Sequence, residues 1–343
     1  MKPVKEFLGH LHAFRALAIV FIVAGHALDA FAWREHPFQG AAIRVFAGNG
    51  STLFVFIAGY LFQHLSARFR LQDYWRSKLR HVVLPYLLVS LPALVFTLGG
   101  IERDGAVDAL HDGPVWEHLG YHLLTGSHLA PLWFVPMICL FYLAAPVLLA
   151  LDRRPRLYLL WPLLLLLTLW VGRGLPPQSF VHFLSFYTAG MVCSHYRQAI
   201  DPWLVRPGIW GGLLVLALLL GLVQLGVIPV TTSGEFPFRA YSWNALQKLA
   251  LCLAVLGALR GAGARTDRAW IGELADLSFG IFFIHSYLIS ATKLTYTHGA
   301  GDLPEGQLLQ WCLLSLGVLW LCTQLLRFIK RLAGPRSRWL VGC

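Results

Sequence analysis

The chain has 343 residues, of which 57% are hydrophobic and only 13% are charged, and its mean hydropathy is +0.61. Soluble domains carry about 25% charged residues, so this composition excludes an ordinary soluble protein and indicates one integral-membrane domain over residues 1–343. The net charge of +11 falls mostly in one set of loops, as membrane insertion requires, and therefore does not indicate a nucleic-acid partner.

In chain order, the sequence contains ten apolar segments, and a bilayer-spanning helix needs about 20 mostly apolar residues. The segments cover residues 14–33, 43–65, 82–99, 131–150, 157–172, 179–195, 208–228, 242–260, 269–290 and 308–328. The fifth and sixth are the shortest. The sequence therefore predicts an all-α polytopic membrane helical bundle of about ten transmembrane helices.

The distribution of basic residues predicts the topology. With the N-terminus in the cytoplasm, 20 of the 28 Lys and Arg residues fall on the inner side and six on the outer side. Because cytoplasmic loops carry an excess of Lys and Arg, we expect an even number of spans with both termini cytoplasmic.

The first apolar segment carries ionisable side chains on one face. Arg15 and His26 are eleven residues apart, which places them about 20° apart around a helix and roughly 16 Å apart along it. His12 and Asp29 fall near the same stripe. Ionisable groups in lipid cost several kcal/mol unless they face a bundle interior or a wet cavity, so the pattern favours a functional cavity. Alternatively, Arg15 snorkels to the interface and His26 makes an interhelical polar contact.

The first inner loop, at residues 66–86, is basic and interleaved with aromatic residues. It contains Arg76, Lys78 and Arg80. One interpretation is a topology signal that also contacts anionic membrane lipids. The other is a binding site for a phosphorylated cofactor, since Arg and Lys suit phosphate recognition.

The longest outer loop, at residues 100–130, is rich in His, Asp and Glu. His118 and His122 have the i, i+4 spacing of two metal ligands on a helix. No HExxH pattern accompanies them, and the six cysteines form no CxxC pair. We therefore expect a solvated polar loop and no metal site.

Four segments carry a resemblance to a known family. They are Arg15 followed by ten residues and His26, FVFIAGYLF at 54–62, HLAPLWFVPMICLFYLAAPVL at 128–148, and LADLSFGIFFIHSYLI at 274–289. In order and spacing they resemble the membrane acyltransferase 3 family, which includes polysaccharide and glycan O-acetyltransferases. Ala58 stands where Ser is usual, and the family's basic inner-loop motif corresponds only inexactly to the loop before Leu84.

The resemblance implies transfer of an acyl group, usually acetyl, from cytoplasmic acyl-CoA to a hydroxyl of an envelope glycan or a lipid-linked sugar, in a bacterial inner membrane. The donor would be acetyl-CoA, with no permanently bound cofactor. His26 is the expected general base, because an unperturbed imidazole titrates near neutral pH, and His285 is expected to line the same cavity and orient the acceptor. The residues expected to bind acyl-CoA are Arg15, Arg76, Lys78 and Arg80. Arg15 is also expected to be catalytic, because it could meet either a CoA phosphate or the thioester carbonyl.

Two other functions stay open on the sequence. A transporter or flippase for an anionic or lipid-linked glycan would use the polar first helix as a pathway and Arg15 as an anion clamp. A structural subunit of an envelope polysaccharide machine would tolerate loss of His26.

Overall fold

The computed structural model of the protein describes residues 9–48, 50–99, 113–230 and 240–343. Over these residues the chain is almost wholly helical and forms no β-strand, with an isolated bridge between Ala32 and Glu305. The prediction of an all-α fold is confirmed.

The first half of the chain contains eight α-helices, numbered here in chain order. They are α1 (Gly9–Ala27), α2 (Pro37–Ala47), α3 (Gly50–His64), α4 (Leu71–Lys78), α5 (Leu84–Leu98), α6 (Val115–Thr125), α7 (Phe134–Leu143) and α8 (Ala145–Asp152). A π-helical turn (Leu79–Val83) connects α4 directly to α5, so the basic loop of the sequence is the first part of a long helical segment.

The second half contains eight more. They are α9 (Trp161–Trp170), α10 (Pro176–His195), α11 (Arg197–Leu204), α12 (Pro207–Gln224), α13 (Ala240–Ala262), α14 (Ala269–Ala300), α15 (Leu308–Ala333) and α16 (Ser337–Leu340). A 3₁₀ segment (Pro155–Leu160) precedes α9.

Seven helical segments among the described residues are long and apolar enough to cross a membrane, and there are eight if α7 and α8, bent by 55° at Ala144, form one span. This count is lower than the ten apolar segments of the sequence. The fifth segment forms only a short apolar helix (Pro155–Trp170). The sixth, α10, is 20 residues long, but its Ser, Thr, His and Gln side chains lower its hydropathy.

The first helix lies inside the bundle, where it contacts α3, α13, α14 and α15. In contrast, α12 and α15 leave most of their apolar side chains exposed. A helix that is apolar on its outer face is stable at the surface of a bundle only where lipid covers it. This arrangement gives a multi-pass membrane protein with α1 near its centre.

Helices α3 and α10 cross at very close range through two glycines. A Cβ atom at Gly59 would lie 2.7 Å from the carbonyl carbon of Tyr187, and a Cβ atom at Gly190 would lie 2.8 Å from the backbone nitrogen of Tyr60. Small residues allow helix backbones in membranes to approach this closely. Gly59 belongs to the FVFIAGYLF segment, so this part of the motif has a packing role.

Candidate active site

Helices α1 and α14 contact each other through polar side chains at two levels. At the level of Arg15, the guanidinium Nη2 donates a hydrogen bond to Ser278 Oγ at 3.1 Å, and this hydroxyl donates to Ala275 O at 2.7 Å. At the level of His26, the rings of His26 and His285 lie 5.2 Å apart between centroids and are tilted by 48°. The polar stripe of α1 therefore faces a matching polar stripe on α14 and points into the bundle.

His285 is fully buried, and its own helix sets its orientation. Its Nδ1 lies 2.9 Å from Ile281 O. Because a carbonyl oxygen only accepts hydrogen bonds, Nδ1 carries the proton in this arrangement. Nε2 is then an acceptor and lies 3.3 Å from Ser286 Oγ. The ring is thus a rigid packing partner for His26.

His26 lines a cavity of about 520 Å³ at its end of the bundle. The wall combines polar side chains with aromatic rings, which is typical of sites for polar organic ligands. The polar members are His26, Asp29, Arg44, Ser51, Arg173, Gln224 and Asn244, and the aromatic members are Phe21, Trp133, Phe134 and Phe282. Asn244 Nδ2 donates to Gln224 Oε1 at 3.0 Å, which orients two of these amides.

One wall of the cavity is the junction between α2 and α3, where Gly48, Gly50 and Ser51 contribute to the lining. The first helix approaches this junction closely, because a Cβ atom at Gly25 would lie 3.2 Å from Ala47 O. A Cβ atom at Gly50 would lie 2.9 Å from the backbone nitrogen of Ile22. These glycines allow the wall to lie against the turn of α1 that carries His26.

Lys248 of α13 holds the same wall in place. Its side chain is buried, with 1% of its surface exposed, and Nζ donates to Val45 O at 2.9 Å and to Phe46 O at 3.3 Å. The last carbonyl groups of a helix lack partners within the helix, and a cation at this end also interacts favourably with the helix dipole. The ammonium group therefore stabilises the C-terminus of α2 at the edge of the cavity.

At the other end of α1, Lys78 lies near Arg15. Its Nζ is 5.2 Å from the ring centroid of Tyr74 and 4.8 Å from that of Tyr142, distances typical of cation–π contacts. It is close enough to Arg15 for the two charges to interact. This end of the bundle thus holds two half-buried cations, Lys78 among aromatic rings and Arg15 within range of the Asp276 carboxylate, and both can contribute to binding an anionic ligand.

The comparison with known families gives a match over most of the chain. Residues 9–327 match the family model of the acyltransferase 3 group, described as an acyltransferase domain. The chain belongs to the acyltransferase 3 family. The resemblance found in the four sequence segments is confirmed, and the protein is a multi-pass membrane acyltransferase. No curated protein and no solved structure gives a significant match.

The acyltransferase brings its predicted site residues into two groups. His26 and His285 meet at one end of α1, and Arg15 and Lys78 lie near each other at the other. Arg76 is exposed, and Arg80 is not directed at Arg15: its guanidinium lies 3.7 Å from the ring centroid of Trp339. Within the basic loop, Lys78 is therefore the residue that the fold brings to Arg15.

The expectation that His285 lines the end of this cavity and orients the acceptor stays a prediction. The lining includes His26 but not His285, whose ring packs against that of His26 with 5.2 Å between the centroids. Sequence reasoning placed the two histidines at a similar depth, which is correct, but depth along a helix does not determine which ring faces the open space.

The loop at residues 100–130 also differs from the expectation of a solvated surface. Residues 100–112 of this loop lie outside the described residues. In the described part, His122 and His128 are buried. His128 Nε2 lies 2.8 Å from Ser90 Oγ and His122 Nδ1 lies 2.9 Å from Ser127 Oγ. Burial lowers the pKa of His122, and the nearby His118 lowers it further. His128 therefore connects the loop to α5, and His122 connects two parts of the loop to each other.

Sequence reasoning missed most of the cavity. Trp133 lies within the third family-like segment, but Arg173, Gln224 and Asn244 come from other parts of the chain with no local motif. A second, basic cleft of about 400 Å³ between α14 and α15 was also missed. Its charged lining residues are Glu273, Arg327, Lys330 and Arg331.

Proposed function

We propose that the protein is an O-acyltransferase that moves an acyl group, in the first instance acetyl, from cytoplasmic acyl-CoA to a hydroxyl of an envelope or exported glycan. The observation that carries the proposal is that the two ends of α1 carry different chemical groups. A titratable imidazole opens into a polar, aromatic-lined cavity at one end, and Arg15 lies with Lys78 at the other. The single domain would span residues 1–343.

In the proposed reaction, His26 removes the proton from the acceptor hydroxyl. The hydroxyl oxygen attacks the thioester carbon of acyl-CoA and forms a tetrahedral oxyanion. The oxyanion collapses, the C–S bond breaks, and the proton on His26 passes to the departing CoA thiolate. The products are the ester and CoA, and the imidazole returns to its neutral form. His285 holds the His26 ring in position through ring packing.

The donor would approach from the end of the bundle that carries Arg15. Acyl-CoA is a large anion with several phosphates, and Arg and Lys bind phosphate well. The basic cleft between α14 and α15 is on the same α14 segment as Ser278, the partner of Arg15, and supports this direction of approach. Arg76 and Arg80 would contribute to capture from the surface and contact lipid headgroups.

We propose ten spans with both termini in the cytoplasm, in a bacterial inner membrane. Among the described residues, up to eight helical segments are long and apolar enough to cross the membrane. The shorter helical segment Pro155–Trp170 and the helix α10 would add two more spans, which supports a total of ten. Reporter fusions after Asp112 and after Arg265 should report the outside and the inside respectively, and the reverse result would contradict the topology.

His26→Ala tests the catalytic role. General base catalysis contributes about a hundred- to ten-thousand-fold in rate, so transfer of acetyl from acetyl-CoA to envelope glycans should fall on that scale while the protein still inserts and still binds acetyl-CoA. His298→Ala is the matched control, since His298 is exposed near the end of α14 and its Nδ1 lies 2.9 Å from Leu294 O of the same helix. A correctly inserted His26→Ala protein with the normal rate would refute the assignment.

The same assay separates the enzyme from a transporter or flippase. CoA release and an acyl mass increment on the glycan, both dependent on the protein, support the enzyme. Movement of a glycan across the membrane without a change in mass would support the transporter. Because only a neutral imidazole accepts a proton, the rate should also fall toward acidic pH.

A further inference from the structure

The positive and negative charges that line the His26 cavity are unequal in number. Its lining contains three of them, Asp29, Arg44 and Arg173. Asp29 Oδ1 lies 3.9 Å from Arg44 Nη2, so these two charges offset each other. Within the part of the chain that the structure describes, Arg173 forms no ion pair with a carboxylate. The cavity therefore has one positive charge in excess.

Arg173 is placed where it can act on a ligand at His26. It lies in the short loop between α9 and α10, and its guanidinium is 5.9 Å from the ring centroid of Trp133, another lining residue. Its charge is close enough to interact with the His26 ring. Arg173 is exposed and lines the cavity, so its planar group of donors can meet a ligand without first leaving a carboxylate of the described residues.

The rest of the lining has the chemistry of a sugar site. Gln224 and Asn244 contribute side-chain amides that are oriented by hydrogen bonds to each other and from Gln224 to Gln247. Trp133 and Phe282 contribute ring surfaces. Amides bind hydroxyl groups, and aromatic rings pack against the apolar faces of a pyranose. A neutral sugar would contact these groups and leave the charge of Arg173 without a counterpart in a partly enclosed space.

We propose that the acceptor is an acidic sugar of the uronic acid class, and that Arg173 determines this specificity by binding the sugar carboxylate. A guanidinium pairs with a carboxylate through two parallel hydrogen bonds. A single negative charge matches the single excess positive charge of the cavity, which favours a carboxylate over a doubly charged phosphate. The proposal rests on the proposed function, because it names the acceptor of that reaction.

Binding of two matched glycosides tests the proposal. The purified full-length protein in detergent is titrated with p-nitrophenyl β-D-glucuronide and with p-nitrophenyl β-D-glucoside, which differ at the carboxylate, in the absence of acyl-CoA. A hydrogen-bonded charge pair predicts that the glucuronide binds about 10- to 100-fold more tightly. In Arg173→Gln the preference should disappear, and in Arg173→Lys it should be partly retained, because charge remains without the planar fork.

Arg34→Gln is the matched control, since Arg34 lies outside the cavity and is exposed in a pair with Asp302. It should keep the preference of the unaltered protein. Equal affinity for the two glycosides, no binding of either, or a preference that survives Arg173→Gln would overturn the proposal. Because no donor is present, this outcome is independent of whether His26→Ala abolishes acyl transfer.

A further assay tests whether Arg173 binds a carboxylate of the acyl donor instead of one on the acceptor. Arg173→Gln is assayed for CoA release from acetyl-CoA and from succinyl-CoA with the same glycan acceptor. The proposal predicts the same fractional loss with both donors. A loss confined to succinyl-CoA would mean that Arg173 binds the acyl chain and would overturn the acidic acceptor.

Discussion

Substituting Gly59 by alanine tests the close packing of α3 against α10. The added Cβ would lie 2.7 Å from the carbonyl carbon of Tyr187 and 3.0 Å from its Cα, whereas non-bonded carbon atoms are best separated by about 3.5–4.0 Å. The obstructing atoms are backbone, so they cannot move aside as a flexible side chain could. The two helices must separate by several tenths of an ångström or more.

The magnitude follows from two opposing effects. Overpacking in a well-packed interior costs about 1–3 kcal/mol, while alanine in place of a helical glycine gains roughly 0.5–1 kcal/mol. The cost is larger, so Gly59→Ala should be net destabilising. Gly190→Ala should behave similarly, because its Cβ would lie 3.0 Å from the carbonyl carbon of Phe56. The double variant should be less than additive, since the first substitution already separates the helices.

The measurement is thermal unfolding in detergent, followed by size-exclusion chromatography of the remaining folded protein. Gly212→Ala on α12 is the control, because no described atom beyond its own helical turn lies within 4 Å of the added Cβ, and it should be neutral or slightly stabilising. If Gly59→Ala unfolds at the same temperature as Gly212→Ala, the close crossing of α3 and α10 is refuted, and with it the packing role of this part of the family motif.

Three further predictions concern the site residues. Arg15→Lys keeps the charge but loses the planar fork, so the affinity for acetyl-CoA should fall in a binding titration; unchanged affinity in Arg15→Ala would contradict a donor role. Neutralising Arg76, Lys78 and Arg80 together should raise the KM for acetyl-CoA and weaken its salt dependence, with Lys78 contributing most; a change in insertion only would leave the loop as a topology signal. His285→Asn should retain substantial activity, because a buried ring that packs against His26 has a positioning role. A loss as complete as that of His26→Ala would make His285 a second candidate base.

The central helix could be predicted from the sequence because its signal is local. The eleven-residue spacing of Arg15 and His26 determines that they share a face of any α-helix, and their cost in lipid determines that this face points inward. The structure adds the partner, α14, through Ser278 and His285. Both of these polar residues of α14 lie within the fourth family-like segment of the sequence.

The cavity could not be predicted, because its residues share no periodicity. Arg173 lies in a loop and counted only as one of six outer cations, and Gln224 and Asn244 lie at the ends of two different apolar helices. Lys248 is a clear example. Sequence shows a cation inside a span, but its partners are backbone carbonyls of α2 more than 200 positions earlier, and backbone groups carry no sequence signal.

The geometry of α1 favours one of the two roles expected for Arg15, contact with a phosphate or with the thioester carbonyl of the donor. A residue that contacts the thioester carbonyl must lie within hydrogen-bonding distance of the carbon that the His26-activated hydroxyl attacks. Arg15 and His26 are roughly 16 Å apart along the helix at about 1.5 Å per residue, and the lining of the His26 cavity on α1 reaches Phe21 but not Arg15. Under the proposed function, Arg15 therefore binds a part of the donor remote from the thioester, such as a phosphate or a pantetheine amide. Its substitution should raise KM more than it lowers kcat, whereas substitution of His26 should lower kcat.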